Sequence, residues 1–196
     1  MIRIGILGHI GSGKSYVAKQ FGYPVFNADQ EVTKLYQKNK RCYAKLKKFF
    51  PKHITSFPIN KKKILEVIIA NQKNLKKINK IIHPEIRLQM NIFINKYQKK
   101  KFIILDIPLL LENKINKKDD ILIFVDSKKK EINKRLKKRL NYSPIISTIF
   151  KKIQIPTERK KKKSDFIIKN DFKKNSVRVN VKKILKKILL DDRNNS

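Results

Sequence analysis

Eight residues near the start of the chain, Gly8-His9-Ile10-Gly11-Ser12-Gly13-Lys14-Ser15, fit the pattern G-x-x-x-x-G-K-[ST]. Glycines let a loop turn successive backbone N–H groups inward, which makes a concave anion site. A helix opening just after the loop adds the partial positive charge of its N-terminus. In such a loop the segment Ile10, Gly11, Ser12, Gly13, Lys14 and Ser15 cradles the phosphates of a nucleoside triphosphate. Lys14 reaches the β- and γ-phosphates and the Ser15 hydroxyl is a ligand for Mg²⁺. The pattern specifies nucleotide binding and leaves the reaction open, because GTPases, motor ATPases and small-molecule kinases all use it.

Further residues could supply the rest of the chemistry, and each has a plainer reading. Asp106 closes an apolar run, Phe102-Ile103-Ile104-Leu105. It could hold Mg²⁺ through water beside Ser15, or be an ordinary aspartate at a strand end. Asp29 follows a short second strand, at the sheet edge where ligands bind in open α/β sheets. It could take a proton from an acceptor hydroxyl, or cap the helix that follows. Glu112, just after Pro108-Leu109-Leu110, could orient a ligand or be solvated. His83 could touch substrate or cap a helix beginning at Pro84. Arg135 and Arg139 are four residues apart and share a helix face, as a phosphate clamp or as a solvated surface.

The elements that must position these groups follow from the apolar pattern. Ile2–Leu7, Pro24–Phe26, Phe102–Asp106, Ile121–Val125 and Asp165–Ile168 read as short strands, several of them apolar throughout, as strands buried on both faces are. Helical patterns run from Lys14 to Phe21, from Asp29 to about Phe50, through Ile64, Val67 and Ile68, and from Pro84 through Tyr97. A basic helix spans Ser127–Leu140, Ser143-Pro144 starts another, and a last one covers Val181–Leu190, with a disordered tail after Asp191. Strands alternating with helices give an α/β fold with a mainly parallel sheet. The block between the second and third strands is too long for one crossover and reads as an inserted helical lobe. The organisation expected is a single domain over 1–196. Its core is about 1–28, 101–140 and 164–190, its helical substrate lobe about 29–100, and its lid about 141–163.

Composition narrows the setting. Fifty Lys and Arg against fifteen Asp and Glu give a formal net charge of +35, spread along the chain rather than gathered in one patch. It reads as a compositional bias, with nonspecific nucleic-acid binding at low salt as its consequence. A nucleic-acid-binding ATPase is the rival from another class, but no aromatic-studded basic groove is evident. Cys42 is the only cysteine, so no internal disulfide forms. No apolar run approaches the roughly 18 residues of a membrane span, and the opening MIRIGILG lacks the pattern of a secretory signal. The chain is expected to be cytoplasmic and monomeric, with no membrane partner and no specific nucleic acid.

Taken in order, the motifs resemble the dephospho-coenzyme A kinase family. GILGHIGSGKSYVAKQF is similar to its phosphate loop and first helix, FNADQEV to its "DAD" segment, and IIHPEIR to its His-Pro motif. LDIPLLLENK is similar to its "D-x-P-L-L-F-E" segment, and QIPTERKKKKSDFIIKN to its late lid and strand. The resemblance implies a three-layer P-loop NTPase fold with an inserted helical substrate lobe and a small lid. It also implies transfer of the γ-phosphate of ATP to the ribose 3′-hydroxyl of dephospho-coenzyme A, with Mg²⁺. It puts Asp29 at the catalytic-base position, with Lys14 and Arg135 beside the transferred group. His83, Arg87, Pro108, Leu109 and Glu112 would face the substrate, Arg139 and Asn170 the nucleotide, and Ser15 and Asp106 the metal. Other members of P-loop kinases acting on nucleosides or nucleotides are the nearer alternative. Asn27 replaces the first acid of "DAD", Lys169 an acid before Asn170, and Leu140 an acid after the lid arginine; Tyr16 replaces a common Thr.

Overall fold

The structure, a computed structural model, describes residues 1–138 and 143–194. The chain divides into two compact units, residues 1–27, 97–142 and 153–196 in one, and 28–96 and 143–152 in the other.

The first unit is built on five strands: β1 (Ile2–Gly8), β2 (Val25–Asn27), β3 (Phe102–Asp106), β4 (Ile121–Asp126) and β5 (Phe166–Lys169). They form one sheet in the order β2-β3-β1-β4-β5. Every pairing is parallel, as the apolar runs require, because a parallel strand is covered on both faces. One face carries Ile4, Ile6, Phe102, Ile104, Ile123, Val125 and Ile168. These pack against Val17, Ala18 and Phe21 of α1 (Lys14–Gln20) and Val177, Val181, Ile184 and Ile188 of α9 (Lys174–Asn194). On the opposite face Leu110, from the turn after β3, closes on β1. A Cβ at Gly5 would stand 2.5 Å from its Cδ2, so no side chain fits there. α6 (Lys129–Lys137) and α8 (Thr157–Lys162) complete this unit. Helix α9 runs to Asn194, so residues 191–194 are helical rather than a disordered tail.

β1 is central and the chain leaves it first toward β3 and β2, then toward β4 and β5. The last residues of the strands, Gly8, Asn27, Asp106, Asp126 and Lys169, therefore gather along one sheet edge, with Asn27 opposite Asp106 and Asp126 opposite Lys169. In open α/β sheets that edge, at the switch in strand order, is where ligands bind.

The second unit is helical: α2 (Ala28–Lys38), α3 (Lys40–Phe49), α4 (Lys61–Ala70), α5 (Lys73–Lys96) and α7 (Pro144–Ile153, to residue 152). Two expectations change here. The pattern read as one helix from Asp29 to Phe50 is two, because Asn39 takes an extended conformation and its side-chain oxygen accepts from the Cys42 N–H at 2.8 Å, capping α3. Pro84 does not open a helix but lies inside the 24-residue α5. It has no N–H for the Lys80 carbonyl. The helix persists because Leu75, Ile78, Ile82, Ile86 and Met90 form one buried stripe across it, and Pro84 itself is exposed to water that can serve the freed carbonyl. Cys42 is 1% exposed, and burial, followed by the Glu85 charge, pushes its thiol up to about 11. It is an inert core residue.

Candidate active site

The phosphate loop turns through Gly8, Gly11 and Gly13, all at positive φ. Gly13 is the residue before α1, at φ 86° and ψ 24°, a left-handed conformation that glycine adopts without strain. The Ser12 N–H donates to the His9 carbonyl at 3.1 Å, and the Val17 N–H to Gly13 at 3.0 Å, starting the helix. Lys14 folds back over the loop, its Nζ donating to the carbonyls of His9 at 2.9 Å and Gly8 at 3.2 Å.

The loop is clamped from outside. Asn170 Nδ2 and Ser127 Oγ both donate to the Ser12 carbonyl, at 2.8 and 2.9 Å. Asn170 is buried at the end of β5, and its Oδ1 accepts from the Phe172 N–H at 2.9 Å. Phe172 holds a left-handed φ of 65°. The Arg135 guanidinium lies over its ring, 4.2 Å from the centroid. His9 Nε2 meets the Thr157 hydroxyl of α8. The Ser12 hydroxyl is buried and has no hydrogen-bond partner among the described residues.

Ser15, Asn27 and Asp106 form a cluster beside the loop. Asn27 Nδ2 donates to Asp106 Oδ2 at 2.5 Å and comes within 3.5 Å of Ser15 Oγ. Asp106 is 3% exposed, because β3 is covered on both faces up to its last residue. A hydroxyl and a carboxylate are the hard oxygen donors that suit Mg²⁺, which takes one or two carboxylates and fills its shell with phosphate oxygens and water.

Glu112 is not solvated. Its Oε1 lies 2.7 Å from Lys160 Nζ, and the two side chains are 9% and 4% exposed. The same oxygen accepts from the Ile155 N–H at 2.9 Å, while Oε2 is buried without a hydrogen-bond partner among the described residues. Lys161, the next residue, pairs with Asp126 at 3.2 Å. Helix α8 is thus joined to the sheet edge through Thr157, Lys160 and Lys161. Pro108 and Leu109 are half-buried in the turn that carries Glu112, with the Leu109 carbonyl accepting from Asn113 at 3.0 Å.

The remaining residues lie in the helical unit. Asp29 is exposed in the first turn of α2, two residues beyond Asn27 along the chain, where a negative charge is favoured by the helix dipole. His83 and Arg87 line a groove of about 630 Å³ along α5, together with Lys76, Asn79, Lys80 and Asn91. Burial lowers the His83 pKa from its ordinary value, and the Arg87 charge pushes the same way. The groove therefore presents a neutral imidazole among cations at neutral pH. Arg139 and Leu140 lie outside the described residues.

Sequence reasoning did not single out Ser127, Thr157, Lys160 or Phe172. Ser127 is one of many serines with no local signature, and Lys160 sits in a run of basic residues that all read as solvated.

The model of the dephospho-CoA kinase family matches residues 2–176. A dephospho-CoA kinase of Wolbachia pipientis is 32% identical over 193 residues, covering 96% of this chain and 98% of that one. One of Bacillus anthracis is 33% identical over 191 residues, covering 94% and 96%. Among solved structures, a dephospho-CoA kinase from Campylobacter jejuni has a TM-score of 0.62 at 24% identity, covering 95% of this chain and 96% of that one. A shikimate kinase from Bacteroides thetaiotaomicron shares the fold at a TM-score of 0.51 and 11% identity, covering 95% and 98%. Among the described residues no helix is long and apolar enough to cross a membrane. A clamped phosphate loop at the carboxyl edge of a five-stranded parallel sheet, in a chain matched along most of its length, makes this kinase a member of the dephospho-CoA kinase family.

Proposed function

We propose that the chain transfers the γ-phosphate of ATP to the ribose 3′-hydroxyl of dephospho-coenzyme A, giving coenzyme A and ADP. The observation that carries the reading is the phosphate loop with Lys14 and Ser15 beside Asp106, in a chain of this family. The loop amides and Lys14 bind the ATP phosphates; Lys14 exchanges its carbonyl partners for phosphate oxygens. Ser15 and Asp106 would hold Mg²⁺, which when bound neutralises charge on the β- and γ-phosphates. Asp29 accepts the proton of the 3′-hydroxyl or orients it. Arg135 supplies positive charge to the nucleotide side, with Asn170 fixing the loop that receives it. His83 and Arg87 bind the substrate in the α5 groove, where cations suit its phosphates.

Purified protein incubated with ATP, Mg²⁺ and dephospho-coenzyme A should yield coenzyme A and ADP by mass-resolved chromatography. Lys14→Ala should abolish both products. Asp29→Asn should lower turnover by about 10²-fold or more, the range of general-base catalysis, with ATP affinity nearly unchanged. ADP without coenzyme A would reject the acceptor assignment, and full turnover in Asp29→Asn would reject the base.

A further inference from the structure

Asn27 stands where the resembled pattern has an acid, yet it is not idle. Its amide nitrogen is 2.5 Å from Asp106 Oδ2 and within 3.5 Å of Ser15 Oγ. β2 and β3 pair in parallel with Asn27 opposite Asp106, so the sheet register itself sets the two side chains against each other. Asp106 is 3% exposed. A buried carboxylate gains from a donor that fixes its orientation, and a hydrogen bond to a charged group is stronger than a neutral one. An aspartate at position 27 would instead bring a second carboxylate into contact with the first. An ionised carboxylate only accepts hydrogen bonds, so it could not hold Asp106 as the Asn27 amide does.

We propose that Asn27 is a positioning residue that orients the Asp106 carboxylate toward Ser15 before metal and nucleotide arrive, so that the edge needs no cation to be ordered. The inference rests on the kinase reading only for the identity of the nucleotide. Residues around a metal ligand typically change metal affinity by 10–100-fold when replaced. Losing the Asn27 amide should therefore weaken Mg²⁺-dependent nucleotide binding without any change in the loop that holds the phosphates.

The test uses the full chain, without dephospho-coenzyme A, and two readouts. A fluorescent ATP analogue is titrated at a series of Mg²⁺ concentrations for the wild type and Asn27→Ala. Thermal melting of the nucleotide-free proteins is recorded in EDTA and in millimolar Mg²⁺. The wild type should melt at one temperature in both media. Asn27→Ala should need about tenfold more Mg²⁺ for half-maximal nucleotide binding, and its melting should not respond to Mg²⁺. A merely structural role would shift melting alone and leave the Mg²⁺ midpoint in place. A midpoint for Asn27→Ala within twofold of the wild type would overturn the proposal. Absence of analogue binding to the wild type would instead remove the nucleotide site, and the kinase reading with it.

Discussion

Replacing Lys160 should unfold the protein well below its normal temperature, although lysines are the commonest residues on its surface. The ammonium lies 2.7 Å from Glu112 Oε1, and the side chains are only 4% and 9% exposed. Lys160→Met keeps the aliphatic stem and removes the charge. Among the described residues, the Glu112 carboxylate is then left buried with the Ile155 amide on Oε1 and nothing on Oε2. Removing one partner of a buried ion pair costs about 3–5 kcal/mol. In a chain of this size each kcal/mol moves the melting temperature by about 2–4 °C, so a fall of about 6–20 °C is expected. Glu112→Leu should cost about as much, since it strands the ammonium. The double variant Glu112→Leu/Lys160→Met should recover most of the loss, because apolar residues of similar volume often replace a buried pair at no cost. Melting followed by circular dichroism at neutral pH, analysed as a double-mutant cycle, measures all three. A Lys160→Met protein that melts with the wild type but has a raised KM for ATP would refute the reasoning. Lys160 would then be a phosphate-facing lysine of the lid.

Two further outcomes follow from the site. Gly13→Ala must hold φ near 86° and place a Cβ 2.5 Å from Asn170 Nδ2. The backbone strain alone is worth about 1–3 kcal/mol, and the clamp on Ser12 must also open. Affinity for an ATP analogue should fall at least tenfold with the fold retained by circular dichroism; an unchanged Kd would mean the clamp is unimportant. The His83 pKa is lowered in the folded protein, by burial first and Arg87 second. Acidification from about pH 6.5 then protonates the unfolded chain before the native one, so the stability His83 contributes is complete above that pH and lost below it. His83→Gln should narrow the gap in melting temperature between pH 7.5 and pH 5.5 (about one unit either side of the free imidazole); an unchanged gap would refute the burial of His83.

The excess of basic residues reads differently once some are placed. Lys160 and Lys161 are committed to Glu112 and Asp126 of the core unit. Lys14 is folded onto its own loop. Arg135 lies against Phe172. A count of charges in the sequence treats these as equivalent to lysines on an open helix face, yet each is held by a particular partner.

Local chemistry made much of this protein legible in advance. The phosphate loop could be read because its glycines and Lys14-Ser15 must be contiguous for one loop to wrap a phosphate. The five strands could be read because most of their residues are apolar, as those of buried parallel strands are, and four of them end at a polar or charged residue. The order of motifs from Ile4 to Asn170 carried the family. Tertiary structure alone decided the rest, because the decisive contacts join residues far apart in the chain. Helix α5 runs through Pro84 because a packed apolar stripe outweighs one missing hydrogen bond, and local preference cannot weigh the two. The partners of Ser12, Asn170 and Ser127, come from more than a hundred residues away. Lys160 looks like every other lysine of its run until Glu112 is brought beside it. Asn27 looks like a lost acid until the register of β2 on β3 sets its amide against Asp106.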